Sequence, residues 1–190
     1  EQQVNLTRFG LFFPEKRDFF LENAGLFKMG TGGSYTSSTV ETDLFFSRRI
    51  GLSDTGTPIP IIGGGRLAGK SGRHNIAVLD IQTDSAFGKP GDNFLVGRYS
   101  SDILKRSRVG ALVVNKETMG GDPHFNRTVA ADANLVLGSS LQINSFVAKT
   151  STPGLDGKDL AWFGRIAYRD PSWNLYVNYE DVQDNFNAEV

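Results

Sequence analysis

Residues Gly64 to Ser71 read Gly-Gly-Arg-Leu-Ala-Gly-Lys-Ser and fit the phosphate-cradling pattern G-x-x-x-x-G-K-[ST]. A working phosphate loop needs a helix that begins at the lysine, because the helix N-terminus and the loop amides hold the phosphates. Here Lys70-Ser71 leads into Gly72-Arg73-His74-Asn75 and then a strand-like run. Val78-Leu79-Asp80 imitates a magnesium-binding aspartate strand, but it follows too closely for a crossover helix to intervene. Nucleotide binding is not expected. His74 and His124 stand alone in turn-like segments, with no partner at metal-ligand spacing. Asp156 and Asp159 share one loop and supply oxygen donors of the kind calcium takes, but they read as solvated loop charge. No nucleophile elbow is visible. No catalytic residue, metal site or cofactor is assigned, and enzymatic activity is left open.

A further charged set lies within strand-like runs: Arg66, Asp80, Arg98, Arg108, Asp132, Arg165, Arg169 and Glu180. If the strands close into a barrel, these residues line its lumen. There they pair to seal it or give a pore a selective lining.

The elements that would position this set follow from period-two patterning. The clearest is Phe125 to Thr150. Val129, Ala131, Ala133, Leu135 and Leu137 alternate with Asn126, Thr128, Ala130, Asp132 and Asn134. After Gly138-Ser139-Ser140 the pattern resumes, with Leu141, Ile143, Ser145 and Val147 against Gln142, Asn144, Phe146 and Ala148. Period two gives a strand with two unlike faces, and a short Gly-Ser link between two such runs gives an antiparallel hairpin. Strands of about ten residues are long for a globular fold and suit a tilted membrane crossing. A soluble sandwich turns the apolar face inward; a membrane barrel turns it to lipid.

Other expected strands are Leu44 to Ile50, Pro58 to Lys70, Asn75 to Thr83, Asn93 to Ser101, Arg108 to Lys116, Leu160 to Arg169 and Ser172 to Val182, about nine in all. In Asn75 to Thr83, Ala77, Leu79 and Ile81 oppose Asp80 and Gln82. The connections alternate in length. Asp84 to Asp92, Glu117 to His124 and Ser151 to Asp159 are long. Lys70 to Arg73, Asp102 to Ser107, Gly138 to Ser140 and Asp170-Pro171 are shorter. Outer-membrane barrels alternate in this way, with short periplasmic turns and longer outer loops. Trp162, Tyr168, Trp173 and Tyr179 sit near strand ends and fit aromatic girdles.

Ahead of the strands, residues 1–42 form an aromatic-rich segment, expected either to dock compactly on the main fold or to act as a plug or latch inside a barrel. Phe9, Phe12, Phe13, Phe19, Phe20 and Phe27 surround Glu15-Lys16-Arg17-Asp18, and Arg17 to Leu26 fits a short helix. Gly30 to Ser38 reads as a Gly-, Ser- and Thr-rich loop. Residues 43–190 carry the barrel strands. The formal charge of −1 gives no electrostatic case for nucleic acid, and the lack of cysteine excludes disulfides and thiolate chemistry. No apolar run approaches the length of a membrane helix. The chain opens without methionine or signal peptide and closes after a strand-like run, so it is expected to be a piece of something longer.

Four blocks carry a family resemblance: Asn5-Leu-Thr-Arg-Phe with Leu11-Phe-Phe-Pro-Glu-Lys-Arg-Asp-Phe-Phe-Leu-Glu-Asn-Ala, Phe45-Phe-Ser-Arg-Arg-Ile-Gly, Pro58-Ile-Pro-Ile-Ile-Gly-Gly-Gly-Arg-Leu-Ala-Gly-Lys, and Tyr179-Glu-Asp-Val-Gln-Asp-Asn-Phe-Asn-Ala-Glu-Val. Together they resemble the C-terminal β-barrel region of the bacterial domain of unknown function 5916 family, often found after a family-9 carbohydrate-binding domain. The resemblance implies an outer-membrane barrel of an exported protein. It carries no activity to any particular residue, and any carbohydrate contact would belong to the domain absent here.

The expectation is thus an all-β, antiparallel up-and-down barrel of outer-membrane type, partial in this chain. Its partner is the lipid bilayer, its place the bacterial outer membrane, and its role that of anchor, surface or transport protein. The competing readings are a soluble all-β binding module and an envelope hydrolase with unidentified active residues.

Overall fold

In the computed structural model, the described residues are 15–29, 44–53, 56–120 and 124–190. Phe9, Phe12, Phe13 and the Gly30 to Ser38 loop lie outside them. Eight strands follow one another: β1 (Ile61–Ser71), β2 (His74–Thr83), β3 (Asp92–Ile103), β4 (Ser107–Thr118), β5 (Phe125–Leu137), β6 (Leu141–Ser151), β7 (Leu160–Arg169) and β8 (Asn174–Val182). They form a single antiparallel sheet in chain order, each strand paired with the next. Among the described residues no pairing joins β1 to β8, so the sheet is open, with these two strands as its edges.

The β5–β6 hairpin shows why these residues make these strands. Ala131 faces Val147, Leu135 faces Ile143 and Leu137 faces Leu141 across the pair, so the apolar set of each strand shares one face. Gly138 closes the turn at φ 62°, a left-handed value that glycine takes without steric cost. The long and short connections fall at opposite ends of the sheet, as strict up-and-down order requires.

One face of the sheet, the inner face, is covered on the β2–β4 side. Leu79, Val96, Leu112 and Val114 there are almost fully shielded from solvent. Phe20, Phe27, Leu44, Ile50 and Val190 pack into the same core. Each aliphatic side chain buried in this way stabilises the fold by roughly 1.5–3 kcal/mol. The covering chain includes α1 (Asp18–Leu21), a 3-10 turn at Ala24–Leu26 and a second at Ser47–Arg49.

Leu44 to Ile50 is therefore not a strand, and the count is eight rather than nine. The physical reason is Arg17. Its guanidinium donates to the carbonyls of Ile50 (2.7 Å) and Ser47 (2.8 Å) and lies 4.1 Å from the Phe20 ring centroid. Glu15 grips the same guanidinium at 2.7 Å and accepts the Ser47 hydroxyl at 3.0 Å. The carbonyls that a strand would offer to a neighbour are taken by this clamp, and Leu44 and Ile50 both enter the core. The helix expected over Arg17 to Leu26 is split into α1 and the Ala24–Leu26 turn by Asn23, whose φ is 53°.

After β8 the chain turns back over the inner face. Asn126, fully buried on β5, donates from Nδ2 to the Asn187 carbonyl (2.7 Å) and the Thr152 hydroxyl (2.8 Å). Its Oδ1 accepts from the Glu189 amide (3.3 Å), and Thr150 Oγ1 accepts from the Asn187 amide (3.1 Å). Arg49 donates to the Ala188 carbonyl, tying the tail to the N-terminal cover.

The outer face is apolar and open. Ile76, Val78, Leu95, Val113, Val129, Val147, Ile166, Leu175 and Val177 are all exposed on it. The charged residues that point outward from strands, Asp80, Glu117, Arg127, Lys149 and Asp181, cluster toward the long-loop end.

Candidate functional site

The candidate site is the charged inner face. Following the register from strand to strand, Arg66, Arg98, Arg108, Asp132, Arg165, Arg169 and Glu180 all point to it. Asp80 does not. It stands on the outer face, where its Oδ1 accepts from Asn93 Nδ2 at 2.9 Å. Alternation misleads in β2 because both of its faces are apolar: Ile76 and Val78 point outward, and Ala77, Leu79 and Ile81 inward. Tertiary cover, not patterning, decides which set is buried.

The centre of the face is the Arg98–Asp132 pair. The side chains are nearly fully buried, with Arg98 Nη2 2.7 Å from one Asp132 oxygen and 2.9 Å from the other. Arg98 is on β3 and Asp132 on β5, so the guanidinium must cross β4. It does so over Gly110, which pairs with both Ser100 and Asp132. A Cβ at Gly110 would collide with the guanidinium and stand 2.7 Å from the Tyr99 carbonyl oxygen. The sequence places its glycine where the ion pair needs space.

Toward the short-turn end, Asp102 accepts from Lys70 and Arg108, each at 2.7 Å, and its carbonyl takes Arg73 Nε at 2.6 Å. Arg66 is spent on the cover: it donates to the Phe19 and Glu22 carbonyls and pairs with the Glu22 carboxylate. Arg165 lies 5.2 Å from the Tyr176 ring centroid, a cation–π contact, and its buried Nε has no hydrogen-bond partner among the described residues. Arg169 Nε reaches Asn174 Oδ1 at 3.4 Å. Phe146 and Phe163 stack at 5.9 Å in the row that runs from Asp132 to Glu180.

At the long-loop end, Glu189 of the tail accepts from Lys116 at 3.0 Å and lies 3.6 Å from His124. Burial raises the pKa of Glu189, but the Lys116 ammonium outweighs it and holds the carboxyl below its usual range. Sequence reasoning missed this cluster. Asn126 was visible as a polar member of an alternating set, but nothing local indicates that the tail returns to meet it.

The phosphate-loop look-alike is strand from end to end. Lys70 and Ser71 pair with Asn75 and His74, and no helix follows. His74 Nδ1 is 2.6 Å from the Tyr99 hydroxyl. Asp159 pairs with Lys149 at 2.9 Å, and the Asp156 carbonyl accepts from Asn185. The 85–90 loop and Gly120 enclose a shallow hollow on the surface. The inner face thus holds many of its charges in mutual pairs, an arrangement suited to a polar interior. Comparison with family models, with curated proteins and with solved structures found no match.

Proposed function

We propose that this chain forms wall and filling of an outer-membrane-type β-barrel in a bacterial envelope protein, acting there as a membrane anchor. One observation carries the reading: the sheet is inverted in polarity relative to a soluble sandwich. Mid-strand charges such as Arg98, Asp132 and Arg165 face inward, while the outer face presents Val78, Val113, Val129, Val147, Ile166 and Val177 without a charge among them. A lysine or arginine at the lipid midplane would cost about 2–4 kcal/mol, so a lipid-facing band excludes charge, and a lumen accepts it. The family resemblance of the four sequence blocks supports the same reading. Anchoring is favoured over open transport because α1, the Ser47–Arg49 turn and the tail already occupy the inner face.

A second reading, a soluble all-β binding module, is favoured by the apolar core under β2–β4. Nitroxides at Val129, Val147 and Val177 separate the two. In detergent or vesicles the proposal expects relaxation by a lipid-soluble quencher. Response to a water-soluble quencher alone would leave the soluble module.

A further inference from the structure

The two ends of the sheet differ in charge. At the short-turn end stand Lys70, Arg73, Lys105, Arg106, Arg108 and Arg169, against Asp102 and Asp170 only. At the long-loop end the balance is acidic: Asp80, Asp84, Asp92, Glu117, Asp156, Asp159, Asp181, Asp184 and Glu189 outnumber Lys89, Lys116, Arg127, Lys149 and Lys158. We propose that the short-turn end is a docking surface for the phosphates of anionic phospholipid headgroups, which orients the barrel with its acidic loops away from that leaflet. The proposal rests on the membrane reading above and adds a lipid preference and a direction to it.

Three features of this end fit a lipid headgroup layer. First, Lys105 and Arg106 are exposed and have no hydrogen bond or ion pair among the described residues, so their charge is free for a ligand. Of the other cations, Lys70 and Arg108 are partly neutralised by the Asp102 carboxylate. Second, Leu104 leads the same turn with its side chain 67% exposed and φ at 54°. A non-glycine residue rarely takes that conformation, and here a three-residue turn between β3 and β4 imposes it while presenting an apolar tip beside two cations. Third, Trp173 and Tyr168 are exposed at this end, and Tyr99 and His74 stack nearby at 5.9 Å. Amphipathic rings and long cationic side chains over an apolar band are what an interface between acyl chains and phosphates accommodates. Charge complementarity selects the anionic headgroup, each basic residue near such a surface strengthening attachment by about fivefold.

The test is flotation of the full chain with vesicles of phosphatidylcholine alone and of phosphatidylcholine mixed with phosphatidylglycerol. Wild type should prefer the anionic vesicles, and added salt should erode the preference. Replacing Lys105→Gln together with Arg106→Gln, both exposed and unpaired, should weaken attachment to anionic vesicles by roughly twenty- to thirtyfold while leaving attachment to neutral ones unchanged. Asp156→Asn, at the far end, should not reduce the preference. Equal partition of wild type into both vesicles, or an unaltered double variant, would overturn the proposal and leave the barrel reading intact. Displacement by inorganic phosphate at matched ionic strength would also overturn it, since a free-anion site would then explain the charge. Failure to join either vesicle would remove the membrane reading itself.

Discussion

Beneath β2–β4 the inner face is apolar and covered; beneath β6–β8 it is polar and, at β8, open. Leu79, Val96, Leu112 and Val114 meet Phe20, Phe27, Leu44 and Ile50 on the first side. On the second, Asn144, Arg165, Tyr176 and Asn178 share the same face, and every residue from Asn174 to Tyr179 is exposed. The same up-and-down meander therefore holds two kinds of interior. Where the N-terminal cover docks, the sheet behaves as a soluble core, stabilised by desolvated hydrocarbon. Where it does not, the strands keep polar residues inside and apolar residues outside, and their packing is left to whatever lies beyond the outer face. The Arg98–Asp132 pair sits on the seam between the two.

Breaking that seam should have the largest effect. Arg98→Met removes the guanidinium that holds buried Asp132 and is expected to destabilise the fold by about 3–5 kcal/mol. Equilibrium denaturation in detergent measures it, and a loss well under 1 kcal/mol would mean the two interiors are not joined through this pair. Contrast between the halves comes next. Leu112→Ala, in the covered half, should cost about 2–5 kcal/mol as a cavity opens, whereas Val177→Ala, 72% exposed on β8, should stay within about 0.5 kcal/mol in aqueous buffer. Equal losses would erase the distinction. A lipid-facing Val177 should gain sensitivity when the same pair is measured in a bilayer.

The smallest effect concerns the clamp that holds the cover. Burial pushes the Glu15 carboxyl up, but bonds from Arg17 and Ser47 prevail and bring it to about 2, against 4.5 ordinarily. A depressed carboxylate contributes stability that is fully present above its unfolded pKa and lost as pH falls through the folded one. Docking of residues 15–29 should thus weaken as pH drops from about 4.5 toward about 2. Cleavage of that segment by an acid protease should accelerate over this window, and Glu15→Gln should flatten the profile. An unchanged profile in the variant would assign the acid sensitivity to another carboxylate.

The strands themselves were legible in the sequence. β2 through β7 fall within a few residues of the period-two runs, and the Gly138-Ser139-Ser140 turn lies where the pattern breaks. Alternation is a local consequence of strand geometry, so it survives without knowledge of neighbours. The connection lengths likewise set the two ends of the sheet, because consecutive antiparallel strands must reverse direction. Tertiary structure decided what depends on distant partners. Leu44 to Ile50 has strand-like composition but curls because Arg17 captures its carbonyls. Asp80 points outward because the cover buries Leu79 and Ile81, although Ile76 and Val78 would have made an equally apolar inner face. The tail returns to Asn126 through bonds between residues some sixty positions apart. Period-two patterning assigns residues to two faces, but only the chain that packs against one of them determines which face is inside.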